Sequence, residues 1–185
     1  MTEQPKRALL VIDVQNEYFS GKLPISYPVG SLDNIKLLMQ NAHKRGLPII
    51  LVQHTSPQPD ANTFVRNSDG WKLHPDILLL PFDCIIEKNL PGSFTDTNLG
   101  TCLKEMEVDT VVICGYMSQM CCDTTARQAM HLGYHVEYIA DATGTLDIKN
   151  YAGQIKAEDL HHAVLITQAM RFSQVMNTGQ WITEG

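Results

Sequence analysis

The sequence predicts an α/β fold: a doubly wound, mainly parallel sheet of five to six strands, with helices on both faces in Rossmann-like layers. Three observations predict it. Apolar runs such as R-A-L-L-V-I-D (Arg7–Asp13) are continuous rather than alternating, as strands covered on both faces require. Segments with helical spacing separate these runs, and strand–helix alternation is the pattern of a parallel sheet. The chain has 185 residues, enough to bury a sizeable core, and shows no linker or repeat, so we read 1–185 as a single domain.

The elements follow in order. Arg7–Asp13 is the first strand, and V-Q-N-E-Y-F-S-G-K-L-P after it is a loop. Ser31 or Asp33 caps a helix whose apolar positions are Leu32, Ile35, Leu38, Met39 and Ala42. It stops at Gly46-Leu47-Pro48, and Pro48–His54 is the second strand. Residues 56–81 form a long irregular segment holding Trp71, and loops of this length are usually functional. Phe82–Lys88 is the third strand. Thr95 or Asp96 caps a helix through Leu99, Leu103 and Met106. Asp109–Cys114 is the fourth strand, and the helix after Cys121 ends at Gly133. Tyr134–Ala140 is the fifth strand, a helix covers Leu160, Ala163, Val164 and Thr167, and Phe172–Met176 is a short sixth strand.

Composition excludes several classes of function. Net charge is −6 with no basic run, which argues against a nucleic-acid partner. No apolar stretch approaches membrane-spanning length. The opening M-T-E-Q-P-K-R lacks the hydrophobic region of a signal peptide, so a cytoplasmic location is expected. Five cysteines, at 84, 102, 114, 121 and 122, are odd in number and show no C-x-x-C spacing; free thiols are expected, with Cys84 and Cys114 filling core.

The chemistry gathers at the strand ends. In parallel sheets ligands bind at the carboxyl ends of strands near the switch in strand order. Asp13, His54, Lys88 and the turn Gly115–Cys122 lie at or just past the ends of strands one to four. A thiol at a helix N-terminus is favoured as thiolate, which predicts a lowered pKa for a cysteine in this turn, and the same N–H groups can hold an oxyanion. Alone, Asp13 reads as a strand-end cap and Lys88 as a surface lysine. With a cysteine they supply a base and a cation for a nucleophile.

Five ordered motifs carry a resemblance. They are D-V-Q (Asp13–Gln15), G-W-K-L-H-P (Gly70–Pro75), E-K-N-L-P-G-S-F-T-D-T-N-L (Glu87–Leu99), G-Y-M-S-Q-M-C-C-D-T-T-A-R (Gly115–Arg127) and D-A-T-G (Asp141–Gly144). Across nearly the whole chain the sequence resembles the isochorismatase-like cysteine hydrolases, which include nicotinamidases and N-carbamoylsarcosine amidohydrolases. The resemblance implies Asp13 as general acid/base, Lys88 as thiolate stabiliser and Cys121, rather than Cys122, as nucleophile. It also implies a cis peptide at Met117-Ser118, turning the N–H groups of Ser118 and Cys121 toward an oxyanion, and a homo-oligomer, dimer or tetramer.

The sequence departs from the family pattern in places. Ser118 replaces the usual Thr, and Cys122 the usual Val. The family's nicotinamidases bind a metal through an Asp-x-His and a further His; V-Q-H-T-S-P-Q-P-D lacks that arrangement, so no metal and no cofactor are expected. Gln15, Phe19, His54, Trp71, Phe94 and Tyr116 are the expected pocket residues, with Trp71 on a lid. Arg66 and Arg127 are isolated, and no cluster of arginines announces a phosphate or dicarboxylate. The reaction implied is hydrolysis of a small amide or ureido compound through an acyl-enzyme. Two alternatives stand beside it: vinyl-ether hydrolysis by an isochorismatase, and metabolite binding without catalysis. Nucleotide binding is set aside because no G-x-G-x-x-G follows a strand.

Overall fold

The computed structural model describes residues 5–184. Its strands are β1 (Arg7–Ile12), β2 (Ile49–His54), β3 (Cys84–Lys88), β4 (Thr110–Tyr116), β5 (His135–Gly144), β6 (Ile148–Asn150), β7 (Gly153–Ile155) and β8 (Gln174–Met176). Its helices are α1 (Ser31–Lys44), α2 (Pro75–Leu78), α3 (Leu99–Glu105), α4 (Asp123–His131), α5 (Ala157–Thr167) and α6 (Thr178–Glu184). Six strands form one sheet in the order β3-β2-β1-β4-β5-β8, every pair parallel, as the sequence predicts. No helix among the described residues is long and apolar enough to cross a membrane.

The apolar runs make strands because both faces are covered. From β1, Leu9 and Val11 enter one core with Ile35, Leu38 and Met39 of α1 and Trp181 of α6. The alternate residues Ala8, Leu10 and Ile12 enter the other with Leu99 and Leu103 of α3 and Ala126 and Ala129 of α4. A strand whose successive side chains point opposite ways must be apolar throughout to fill both layers.

Several boundaries differ from expectation. Helix α1 is capped by Gly30 in the left-handed region, and Ser31 is its first helical residue. Helix α3 begins at Leu99, not at Thr95 or Asp96, because the Thr97 hydroxyl bonds back to the Ser93 carbonyl at 2.6 Å and holds a turn there. Cys84 is only partly buried, on an edge strand; Cys114 is fully buried core. The hairpin β6–β7 and helix α6 were not anticipated.

The strand order reverses between β1 and β4, so the switch point lies where these strands end. Gly115 is what lets them approach. It sits opposite Ile12 with φ 115°, and a Cβ there would fall 2.0 Å from the Ile12 carbonyl oxygen. Gly115→Ala therefore costs about 3 kcal/mol from strain and overpacking. That loss lowers the melting temperature by roughly 6–12 °C in a domain of this size. Calorimetry checks it; a melting point within about 2 °C of the parent contradicts the close approach.

Candidate active site

Three strand ends deliver the charged centre. Asp13 follows β1 with φ 50°, its N–H bonded to the Val52 carbonyl at 2.9 Å. Lys88 ends β3 opposite His54, the last residue of β2. Cys121 sits in a π-helical turn, Ser118–Cys122, between β4 and α4. The Lys88 ammonium lies 2.7 Å from Asp13 Oδ2, 3.1 Å from Cys121 Sγ and 3.4 Å from His54 Nδ1. The Asp13 and Lys88 side chains are wholly buried, and Cys121 is 7% exposed. Neither Asp13 oxygen takes a hydrogen bond of good geometry from the chain, so its contact with Lys88 is an ion pair with acceptor capacity left over.

Burial sets the protonation states. It pushes the Lys88 pKa down, but the Asp13 charge foremost, with Cys121 beside it, outweighs it, and the ammonium is held charged. Burial and then Asp13 push the Cys121 pKa far up, while Lys88 pulls against them. The sequence-based expectation of a lowered thiol pKa is thus corrected: desolvation and a neighbouring carboxylate outweigh the helix terminus, and at rest the proton sits on sulfur. His54 is neutral, lowered by burial and then by Lys88.

The cis peptide is Tyr116–Met117, one residue before the expected bond. The Met117 carbonyl accepts from Met120 N at 3.0 Å and Cys122 N at 3.2 Å. Ser118 is fully buried; its hydroxyl meets His161 Nδ1 at 2.7 Å and its carbonyl accepts from Tyr138 at 3.0 Å. Cys122 is wholly buried among the residues packed on α4.

The expected pocket residues divide. His54 is at the site. Trp71 is half-buried in the loop 55–74, where its indole donates to the Thr55 hydroxyl at 2.6 Å. Gln15 is fully buried with both amide ends on backbone: it donates to the carbonyls of His54 and Trp71 and accepts from His54 N. It clamps the loop to β2. Tyr116 is core, its hydroxyl 3.0 Å from that of Ser31, and Phe19 packs between it and His74. Phe94 turns away to stack on Tyr134, at the amino end of β5. Arg66 pairs with Glu87 and Arg127 with Asp123.

Sequence reasoning missed two residues. Tyr18 is buried against Phe64 and Tyr116; burial, then the neighbouring Cys121 and Asp13, hold its phenol protonated. The other is His161, buried on α5. For metals, no group of three or more His, Cys, Asp or Glu side chains among the described residues is placed to hold an ion. At the end of β2, Gln53 and Thr55 are spent on Trp71, and among the described residues His54 is the one imidazole bonded to Lys88. This donor set does not fit a metal centre.

Two predictions follow from these protonation states. Lys88→Met removes the cation that pulls the thiol pKa down, so iodoacetamide alkylates Cys121 more slowly at pH 7. Unchanged or faster alkylation in Lys88→Met contradicts the assignment. Separately, burial lowers His161 from 6.5 to about 4 and lowers His54 and His74 as well. Below about pH 6.5 the unfolded chain binds protons that the folded chain refuses, so stability falls as pH drops toward about 4. Thermal melts should show that decline from pH 7 to pH 5, with a shallower slope in His161→Asn; a flat profile contradicts it.

Comparison with known proteins places this architecture. The Isochorismatase domain model matches residues 7–178. An isochorismatase-type crystal structure from Burkholderia xenovorans LB400 superposes with TM-score 0.94 at 40% identity, over 98% of this chain and 88% of that one. Streptothricin hydrolase of Streptomyces noursei is 32% identical over 77% of this chain and 51% of its own length. Nicotinamidase 3 of Arabidopsis thaliana is 28% identical over 92% of this chain and 84% of its own. The chain belongs to the isochorismatase family and is a hydrolase on that family's parallel α/β sheet.

Proposed function

We propose that the chain is a cysteine-dependent amidohydrolase that cleaves the C–N bond of a small amide or ureido compound. The observation that carries this reading is the buried Lys88 ammonium touching both the Asp13 carboxylate and the Cys121 sulfur. Among relatives, the nicotinamidase and the streptothricin hydrolase support it by their names.

The chemistry runs through one proton. As Cys121 Sγ attacks the carbonyl carbon, Asp13 takes the thiol proton and Lys88 stabilises the sulfur's negative charge. The oxyanion rests on the backbone N–H groups of Met117, on the cis peptide, and of Cys121. Asp13 returns the proton to the departing nitrogen, leaving a thioester on Cys121. Water, deprotonated by Asp13, then attacks the thioester; the acid leaves and the proton returns to sulfur. A carboxylate with no other hydrogen bond is suited to accept and return a proton twice per turnover. His54 and Tyr18, both uncharged, and the loop held by Trp71 surround a site that carries one positive and one negative group. Such a site suits a substrate that is neutral at its reacting end.

The test is hydrolysis of nicotinamide, benzamide, N-carbamoylsarcosine and streptothricin, followed by mass spectrometry and ammonia release. At least one is hydrolysed, and Cys121→Ala and Asp13→Asn each lower kcat by roughly 10³-fold or more. Full activity in Cys121→Ala, on an amide or on isochorismate, refutes the cysteine mechanism.

A further inference from the structure

Ser118 is gripped from outside its own turn. Its hydroxyl meets Nδ1 of His161, 43 residues further along the chain, and its carbonyl accepts the Tyr138 hydroxyl. His161 lies buried on α5, with the Ala140 carbonyl beside its ring. A neutral imidazole has one donor and one acceptor nitrogen; with its proton on Nε2, Nδ1 accepts from the Ser118 hydroxyl. The ring edge is covered by Tyr27 at 5.5 Å.

This grip has a directional consequence. The Met117 carbonyl points into the turn, where Met120 N and Cys122 N bind it. In a trans peptide the C=O and N–H point opposite ways. Met117 is consequently held between the cis bond before it and the trans Met117–Ser118 peptide after it. The orientation of that peptide depends on Ser118 keeping its place, and nothing within the turn holds the Ser118 side chain.

We infer that His161 is a positioning residue for acyl transfer: by holding the Ser118 hydroxyl it fixes the start of the Ser118–Cys122 turn and so keeps the backbone N–H groups of Met117 and Cys121 aimed at the oxyanion. The inference rests on the amidohydrolase reading above. His161 touches neither the thiol nor Asp13, so it moves no proton in the reaction. Its removal leaves a buried hydroxyl without an acceptor and frees the turn to shift.

Two reagents separate this role from general damage. p-Nitrophenyl acetate acylates a thiol through an oxyanion, whereas iodoacetamide alkylates the same sulfur without one. In His161→Leu the acylation burst slows by about tenfold or more, because small displacements of catalytic groups cost rates of this order. Alkylation of Cys121 stays within about twofold of the parent. His161→Asn, which keeps an acceptor near the Nδ1 position, restores most of the burst rate. Ser118→Ala slows acylation similarly, and the double variant His161→Leu/Ser118→Ala is no slower than either single. An unchanged burst in His161→Leu, a parallel fall in alkylation, or losses that multiply in the double variant overturns the role of His161. A burst that survives Cys121→Ala instead refutes the nucleophile and this inference with it.

Discussion

The ion pair between Lys88 and Asp13 is the interaction on which the rest of the site depends. Both side chains are removed from water, and desolvating two charges costs several kcal/mol per ion before their attraction is counted. The fold imposes this cost to join strands that are not neighbours. β2 lies between β1 and β3, so Lys88 reaches across roughly 10 Å of sheet to meet Asp13. The long lysine stem covers most of that span, and the positive φ of Asp13 turns its carboxylate back toward the sheet edge. β4 brings Cys121 in from the other side, past the close approach of Gly115 to Ile12.

Around this pair the other groups are kept neutral or already paired. His54 is held uncharged, Tyr18 keeps its phenolic proton, and Arg66 is engaged by Glu87 on the rim. The loop 55–74 is tied down by Gln15 and Gln53, whose amides converge on the Trp71 carbonyl. One mobile proton is thus left among Asp13, Lys88 and Cys121. The turn that presents Cys121 is steadied from β5 through Tyr138 and from α5 through His161, elements far along the chain.

The sheet was legible because a strand buried on both faces must be continuously apolar, and β1 to β5 announce themselves that way. Asp13 and Lys88 were legible because each is a charge ending such a run. The hairpin β6–β7 was not: I-K-N and G-Q-I are half to fully exposed and carry no buried pattern. The start of α3 was misplaced because Thr97 spends its hydroxyl on Ser93 before the helix begins. The thiol's protonation was misjudged because a helix terminus can be read from sequence, whereas burial of sulfur and the proximity of Asp13 cannot. Phe94 and Tyr116 are flanked by motif residues, yet the chain direction carries one ring to Tyr134 and the other into the core. His161 left no signal because its partner is 43 residues away and its burial follows from how α5 docks.

The central claim is that Cys121, and not its neighbour Cys122, carries the acyl group beside the Asp13–Lys88 pair. The most direct measurement is acid quench of the enzyme during turnover, followed by peptide mass mapping of residues 110–127. The account predicts an acyl adduct on Cys121 that disappears as substrate is exhausted, with Cys122 unmodified. An adduct on Cys122, or steady turnover with no thioester on either cysteine, would contradict it.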